Sequence, residues 1–228
     1  MSRTGRKLLN FDRRFGARFV AGADEAGRGS LAGPLVAAGV LLDYDLVRGR
    51  VAARLASLND SKQLDLGERE RLFRAVLRCA SRVAVEVVPP VEIDRVGLHR
   101  SNLDALARAL TAISPPAEIC LSDGFRLGLR APAHQHVVEG DSRSASIAAA
   151  SIVAKVVRDR MMRRFDRLYP EFGFMSHVGY ITPDHAAVVR ARGPTDIHRM
   201  SFRALCYAEA RAKPGPGRSD RADEFPGS

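Results

Sequence analysis

Val20-Ala-Gly-Ala-Asp-Glu-Ala-Gly-Arg-Gly-Ser-Leu-Ala-Gly-Pro34 carries an apolar run onto two adjacent carboxylates, Asp24 and Glu25, and then onto a glycine-flanked arginine, Gly27-Arg28-Gly29. Phe19–Ala23 predicts a strand that stops at the acids. Two carboxylates at a strand end make a hard, oxygen-rich corner of the kind divalent cations favour. The glycines let backbone N–H groups come close to a ligand. Together they point to metal-dependent chemistry on a phosphate backbone. Adjacent residues of a regular strand face opposite ways, so both carboxylates can serve one site only if the backbone twists or ends at Asp24–Glu25.

Outward from this stretch, Leu35–Leu42 reads as a buried strand and Val83–Val88 as another, stopped by Pro89-Pro90. Glu118–Leu121 and Val137–Glu139 read as short strands. Helical spacing predicts helices over Gly67–Arg78, His99–Ile113, Ser144–Leu168, Ala186–Ala191 and Ser201–Arg211. Asn59–Leu64 reads as a polar turn and Pro170–Asp184 as a loop. Strands alternating with helices indicate an α/β fold with a central mixed sheet. The expected organisation is a basic N-terminal arm or short helix over 1–18 and one α/β domain over 19–192. A C-terminal helical extension follows over 193–211, then a disordered tail over 212–228.

The chain of 228 residues has 36 Lys and Arg against 26 Asp and Glu, a net charge of +10. That balance favours a polyanionic partner, nucleic acid ahead of an anionic membrane. Cys79, Cys120 and Cys206 are odd in number and widely spaced. This argues against a disulfide framework or a zinc site and suits a reducing cytoplasm. No signal peptide and no run long enough to span a bilayer is expected.

Asp123 and Asp141 repeat the setting of the first pair: each follows a short apolar strand and stands beside glycine. Carboxylates at strand ends of an α/β sheet can converge on one edge. Four such groups repel one another unless cations neutralise them, and two ions about 3.5–4 Å apart would clamp a phosphoryl displacement. Taken singly, an Asp-Gly pair is a plain turn, and Asp141 could cap the following helix, a role open equally to Ser142 and Ser144. Arg160, Arg163, Arg164 and Arg167 share one helix face and either track a duplex or face solvent. His134 and His136 alternate as in a strand, a spacing that resembles a metal pair but reads better as an exposed edge strand. His177, His185 and His198 read as structural hydrogen-bonders.

Asp24-Glu-Ala-Gly-Arg-Gly29, Ala32-Gly-Pro34, Asp60-Ser-Lys62, Asp123-Gly124, Gly140-Asp-Ser-Arg-Ser-Ala-Ser-Ile-Ala-Ala-Ala-Ser-Ile-Val-Ala-Lys155, His177-Val-Gly-Tyr180 and His198-Arg-Met-Ser-Phe202 follow one another in an order that resembles ribonuclease HII over roughly residues 19–205. The resemblance implies an RNase H-like fold with a C-terminal helical extension. It implies a monomeric Mg²⁺- or Mn²⁺-dependent endonuclease, with hydrolysis of the RNA strand of RNA–DNA hybrids and incision 5′ of single ribonucleotides in duplex DNA. By the family pattern Asp24, Glu25, Asp123 and Asp141 bind the metal and carry catalysis. Gly27, Arg28 and Gly29 read the ribose 2′-OH, and Tyr180 packs on the ribose. Lys62, Arg143 and Lys155 hold phosphates, although Lys62 and Lys155 read equally well as solvated lysines. Val178 and Ile181 depart from the family's usual Lys and Gly, and Arg143 stands where Lys is frequent. A non-catalytic nucleic-acid-binding protein on the same fold and a hybrid-only nuclease similar to ribonuclease HIII are the alternatives.

Overall fold

The structure, a computed structural model, describes residues 3–55, 58 and 65–212. The turn over Asn59–Leu64, Lys62 included, and the tail from 213 lie outside the described residues. Strands β1 (Phe19–Ala26), β2 (Leu35–Asp43), β3 (Arg82–Val88), β4 (Ile119–Asp123) and β5 (Gln135–Val137) form one sheet of order β3-β2-β1-β4-β5. β1, β2 and β3 run antiparallel; β4 and β5 join parallel to β1. This is the mixed sheet expected from the alternating pattern.

β2 is buried along its whole length, because helices cover both faces of the sheet. On one face lie α1 (Arg3–Arg13), α3 (Leu66–Cys79) and α6 (Ala145–Leu168), packed on Val20, Val36 and Val40. α2 (Gly49–Arg54) joins this layer. On the other face α4 (Pro90–Val96) and α5 (Leu98–Ile113) pack on Ala21, Ala23 and Leu41. A smaller cluster ties α7 (Phe174–His177), α8 (Pro183–Arg192) and α9 (Leu205–Ala212) to the far half of α6 through Met162, Phe174, Val189 and Cys206. At Gly22 any Cβ would stand 2.3 Å from the Ser146 backbone, so β1 and α6 meet backbone to backbone. Ser144 caps α6, its hydroxyl accepting from Ile147 N at 3.3 Å. Asp141 is therefore not needed as the cap. Among the described residues, no helix is long and apolar enough to cross a membrane.

Five local expectations differ from what is observed. β1 does not stop at the acids but runs through them to Ala26, with Asp24 opposite Ala38 and Glu25 opposite Ala37. Pro89-Pro90 ends β3 but also begins α4, since a proline in the first helical turn has no N–H to lose there. β5 is set by pairing with Leu121–Asp123 and so occupies Gln135–Val137, leaving Val138 and Glu139 outside the sheet. The 170–184 segment holds α7 and the start of α8. Finally, α9 begins at Leu205, because Ser201 is engaged with α4: its N–H and hydroxyl both bind Asp94, at 3.0 and 2.6 Å.

Candidate active site

Along β1, even-numbered residues face α6 and odd-numbered residues face α5, as Val20 and Ala21 show by their packing. Asp24 and Glu25 obey the same alternation. Asp24 is buried on the α6 side, within hydrogen-bonding reach of Ser151. Glu25 lies on the α5 side against Asn102. The two still line one cleft, of about 400 Å³, together with Asp123 and Asp141. β1 stays paired with β2 through both acids. Parallel pairing with β4 ends at Ala23–Ser122, so the two carboxylates straddle the open flank of β1 beyond it. Asp123, the last residue of β4, stands at that opening. Its Oδ1 accepts from Gly140 N at 2.6 Å, which ties the turn carrying Asp141 to the same strand end.

Burial, then Asp123 and Glu25, raise the Asp24 carboxyl well above its ordinary range. Glu25 is pushed up to about 7, first by burial and then by Asp123, with Arg28 opposing. The Asn102 amide also favours the charged form of Glu25. No hydrogen bond of ordinary geometry joins them, however: Asn102 Nδ2 and Glu25 Oε2 are both buried without a partner. An all-oxygen, mutually repelling donor set with a buried unpartnered carboxylate oxygen fits a hard divalent cation. The acids are not gathered as a finished coordination shell. Among the described residues, no group of three or more His, Cys, Asp or Glu side chains is assembled to hold a metal ion.

The glycine loop forms the wall of the cleft. Gly27 has φ +83°, and a Cβ there would fall 1.8 Å from Arg158 Nε. Only glycine satisfies both constraints. Beneath the loop lie two fully buried arginines. Arg158 donates to the carbonyls of Pro34 (2.9 Å), Val178 (2.8 Å) and Ala32 (3.1 Å). Arg199 donates to the carbonyls of Gly33 (3.0 Å) and Arg28 (2.9 Å). Burial, then Arg158, lowers Arg199 to about 9. Gly179 O accepts from the N–H groups of Leu31 and Ala32, at 2.8 and 3.1 Å. This holds the Tyr180 loop against the glycine loop, with the half-exposed Tyr180 ring over Gly29. Arg28 sits over the Phe125 ring, 4.7 Å from its centroid.

Behind Tyr180 the histidines form a directional chain. Thr195 N donates to His198 Nδ1 at 2.9 Å, so the His198 proton is on Nε2, which faces His185 Nε2 at 3.0 Å. His185 Nδ1 then donates to Tyr180 O at 2.9 Å. Burial, the largest cause for both, holds His185 and His198 at about 4. His177 donates from Nε2 to Phe172 O and accepts from Gly179 N at Nδ1. All three are structural hydrogen-bonders, as expected.

Lys155 lines the cleft but is also held by Asp159 at 2.5 Å, and Asp159 in turn binds Arg69 at 3.3 Å. Arg69 and Ser151 also line the cleft. Ser151 stands inside the Gly140–Lys155 motif but is not singled out by it, and Arg69 belongs to none of the motifs. Arg143 is not in the cleft lining but in the next groove. Arg160 and Arg163 bind Glu70 of α3 and so join two helices rather than facing solvent freely. His136 is exposed on the edge strand. His134 is held by Pro132 O and Leu127 N, which removes it from any metal pair.

The profile of the family described as Ribonuclease HII matches residues 21–205. A ribonuclease HII of Geobacillus thermodenitrificans is 45% identical over 199 residues, covering 86% of this chain and 74% of that protein. One from Rhizobium johnstonii is 48% identical over 192 residues, covering 83% and 80%. The crystal structure of the ribonuclease H2 from Pyrococcus horikoshii OT3 superposes with a TM-score of 0.73 at 26% identity, covering 86% of this chain and 100% of that one. The fold is that of ribonucleases HII and HIII, and the sheet and helical C-terminal part agree with the expectation from sequence. The chain belongs to the ribonuclease HII family and is a metal-dependent endoribonuclease acting on RNA–DNA hybrids.

Proposed function

We propose that the enzyme also incises 5′ of a single ribonucleotide embedded in duplex DNA, leaving 3′-OH and 5′-phosphate ends, with two divalent ions, Mg²⁺ or Mn²⁺, at Asp24, Glu25, Asp123 and Asp141. The observation that carries this is the joint lining of one cleft by the four acids, the Gly27-Arg28-Gly29 loop and Tyr180. The ions would supply water activation and charge neutralisation at the phosphorus.

The remaining work falls to the chain itself. The loop carbonyls of Arg28 and Gly33 are turned inward onto Arg199, which suits a wall that meets a 2′-OH through its backbone. That hydroxyl is the group that separates RNA from DNA. The Tyr180 ring offers the neighbouring sugar a flat apolar face beside that wall. Lys155 presents a cation to a phosphate while Asp159 fixes its position.

The test compares a duplex with one ribonucleotide against a continuous hybrid. Cleavage of both by the wild type, with Asp24→Asn inactive but still binding, is expected. Cleavage of the continuous hybrid alone would return the reading to a hybrid-only nuclease.

A further inference from the structure

We infer that the exposed face of the N-terminal helix is a second binding surface for the substrate's phosphate backbone, flanking the cleft on the Asp141 side; this rests on the nucleic-acid reading above. Lys7, Asn10 and Phe11 stand at i, i+3 and i+4 spacing on one face of α1, and Arg14 follows in the turn that ends the helix. With Ser142 and Arg143 they line a concave groove of about 400 Å³. The lining holds three cations and no acid. Arg143 lies over the Phe11 ring, 5.5 Å from its centroid. Ser142 and Arg143 directly follow Asp141, so the groove begins one residue from a cleft carboxylate.

α1 is held in a set position. Leu8 and Leu9 are buried in the core. Asp12, fully buried, accepts from Ser146 N at 2.9 Å and from the Tyr44 hydroxyl at 2.8 Å. The first of these bonds fastens α1 to the opening turn of α6, the helix that follows Asp141. Lys7 and Arg14 therefore hold a constant offset from the chemistry. A cleft of four acids repels a polyanion, and cations beside it offset that repulsion by displacing the counterions of the duplex. α1 lies outside the residues matched by the family profile, whereas Ser142 and Arg143 lie within them.

The test measures KM and kcat on an RNA–DNA hybrid over a salt series. For Lys7→Gln/Arg14→Gln, KM should rise about tenfold at 0.1 M salt with kcat unchanged, and the slope of log KM against log salt should fall by about 1–2. Arg100→Gln/Arg108→Gln removes the same charge from α5, on the opposite face of the sheet, and should change KM by less than about twofold. Asn10→Lys adds a cation inside the groove and should lower KM and steepen the slope, which keeps the question answerable should the double variant fold poorly. The inference is overturned if the wild type cleaves and the groove variants shift KM and slope no more than the α5 control does. If the wild type cleaves nothing, the functional reading fails instead. Hybrid binding in EDTA, followed by fluorescence anisotropy across the same variants, then decides the groove alone.

Discussion

Arg158 and Arg199 come from helices and loops 41 positions apart and donate to carbonyls of one loop, Arg158 to Ala32 and Pro34 and Arg199 to Arg28 and Gly33. Neither bond set includes a carboxylate. The guanidinium groups act as internal scaffolding for a wall that must be rigid where it meets the substrate. Arg158→Met leaves three carbonyls without donors, so we expect a loss of about 3–5 kcal/mol. In a domain of this size that is about 6–20 °C in Tm, read by calorimetry. Arg199→Lys keeps a charge but not the fork. It is expected to lower kcat/KM on a single-ribonucleotide duplex at least tenfold, about 1.4 kcal/mol, and more than on a continuous hybrid. An equal loss on both substrates would mean that the arginine supports the fold without tuning sugar selection.

Asp24→Asn should stabilise the metal-free protein while abolishing cleavage. The buried carboxyl is disfavoured in its charged form by burial, Asp123 and Glu25, and the amide removes that repulsion at constant volume. The expected gain is about 1–2 kcal/mol, with activity down by at least about a thousandfold. Mg²⁺ or Mn²⁺ should raise the Tm of the wild type and not of the variant. A lower Tm for the variant without metal would contradict the repulsion.

Between pH 7 and pH 4 two groups of residues act in opposite directions on stability. His185 and His198, at about 4 when folded against an ordinary value near 6.5, bind protons more readily when unfolded. Their contribution is whole above pH 6.5 and is lost as pH falls toward 4. Glu25, at about 7 when folded against roughly 4.3 unfolded, does the reverse and gains stability over the same fall. Glu25→Gln removes the second contribution. In metal-free buffer its Tm should therefore drop more steeply on acidification than that of the wild type, by at least about 2–4 °C more at pH 4.5, the response to roughly 1 kcal/mol. Parallel Tm curves would show that Glu25 is not raised as described.

Gly27→Ala meets two obstacles at once, a φ of +83° and Arg158 Nε 1.8 Å from the new methyl. A cost above about 2 kcal/mol is expected, together with loss of cleavage. Gly49→Ala shares the left-handed backbone but has nothing within 4 Å of the added Cβ. It should cost only about 1 kcal/mol. Comparable losses at the two sites in urea denaturation would remove Arg158 from the explanation.

Much of this was legible in the sequence because it is local. The period of α5 and α6, the unbroken apolar run of β2 and the acid-glycine steps at Asp24, Asp123 and Asp141 are each contained in a few residues. What stayed hidden depends on partners far along the chain. The register of β5 is set by β4, so Val138 and Glu139, apolar-looking in part, fall outside the sheet. Pro89-Pro90 is both a stop and a start, and only the docking of α4 on the sheet decides the second role. Arg158 reads as one among many basic residues, and the His198–Phe202 motif does not reveal what Arg199 holds; their partners in the glycine loop lie 124 to 171 positions away. Asp24 and Glu25 share a cleft from opposite faces of β1 because β4 stops pairing at Ala23–Ser122, an ending that the sequence of β1 alone does not contain.

That the two carboxylates straddle β1 has a mechanical consequence. Asp24 takes its depth from the α6 layer and Glu25 from the α5 layer, so the spacing between the acids records the thickness of both layers at once. Ser151 of α6 stands against Asp24 and Asn102 of α5 against Glu25, so a change of packing in one layer bears first on one carboxylate. The protein core thus works as a two-sided calliper on the active site, and remote packing changes can mistune the chemistry without touching it.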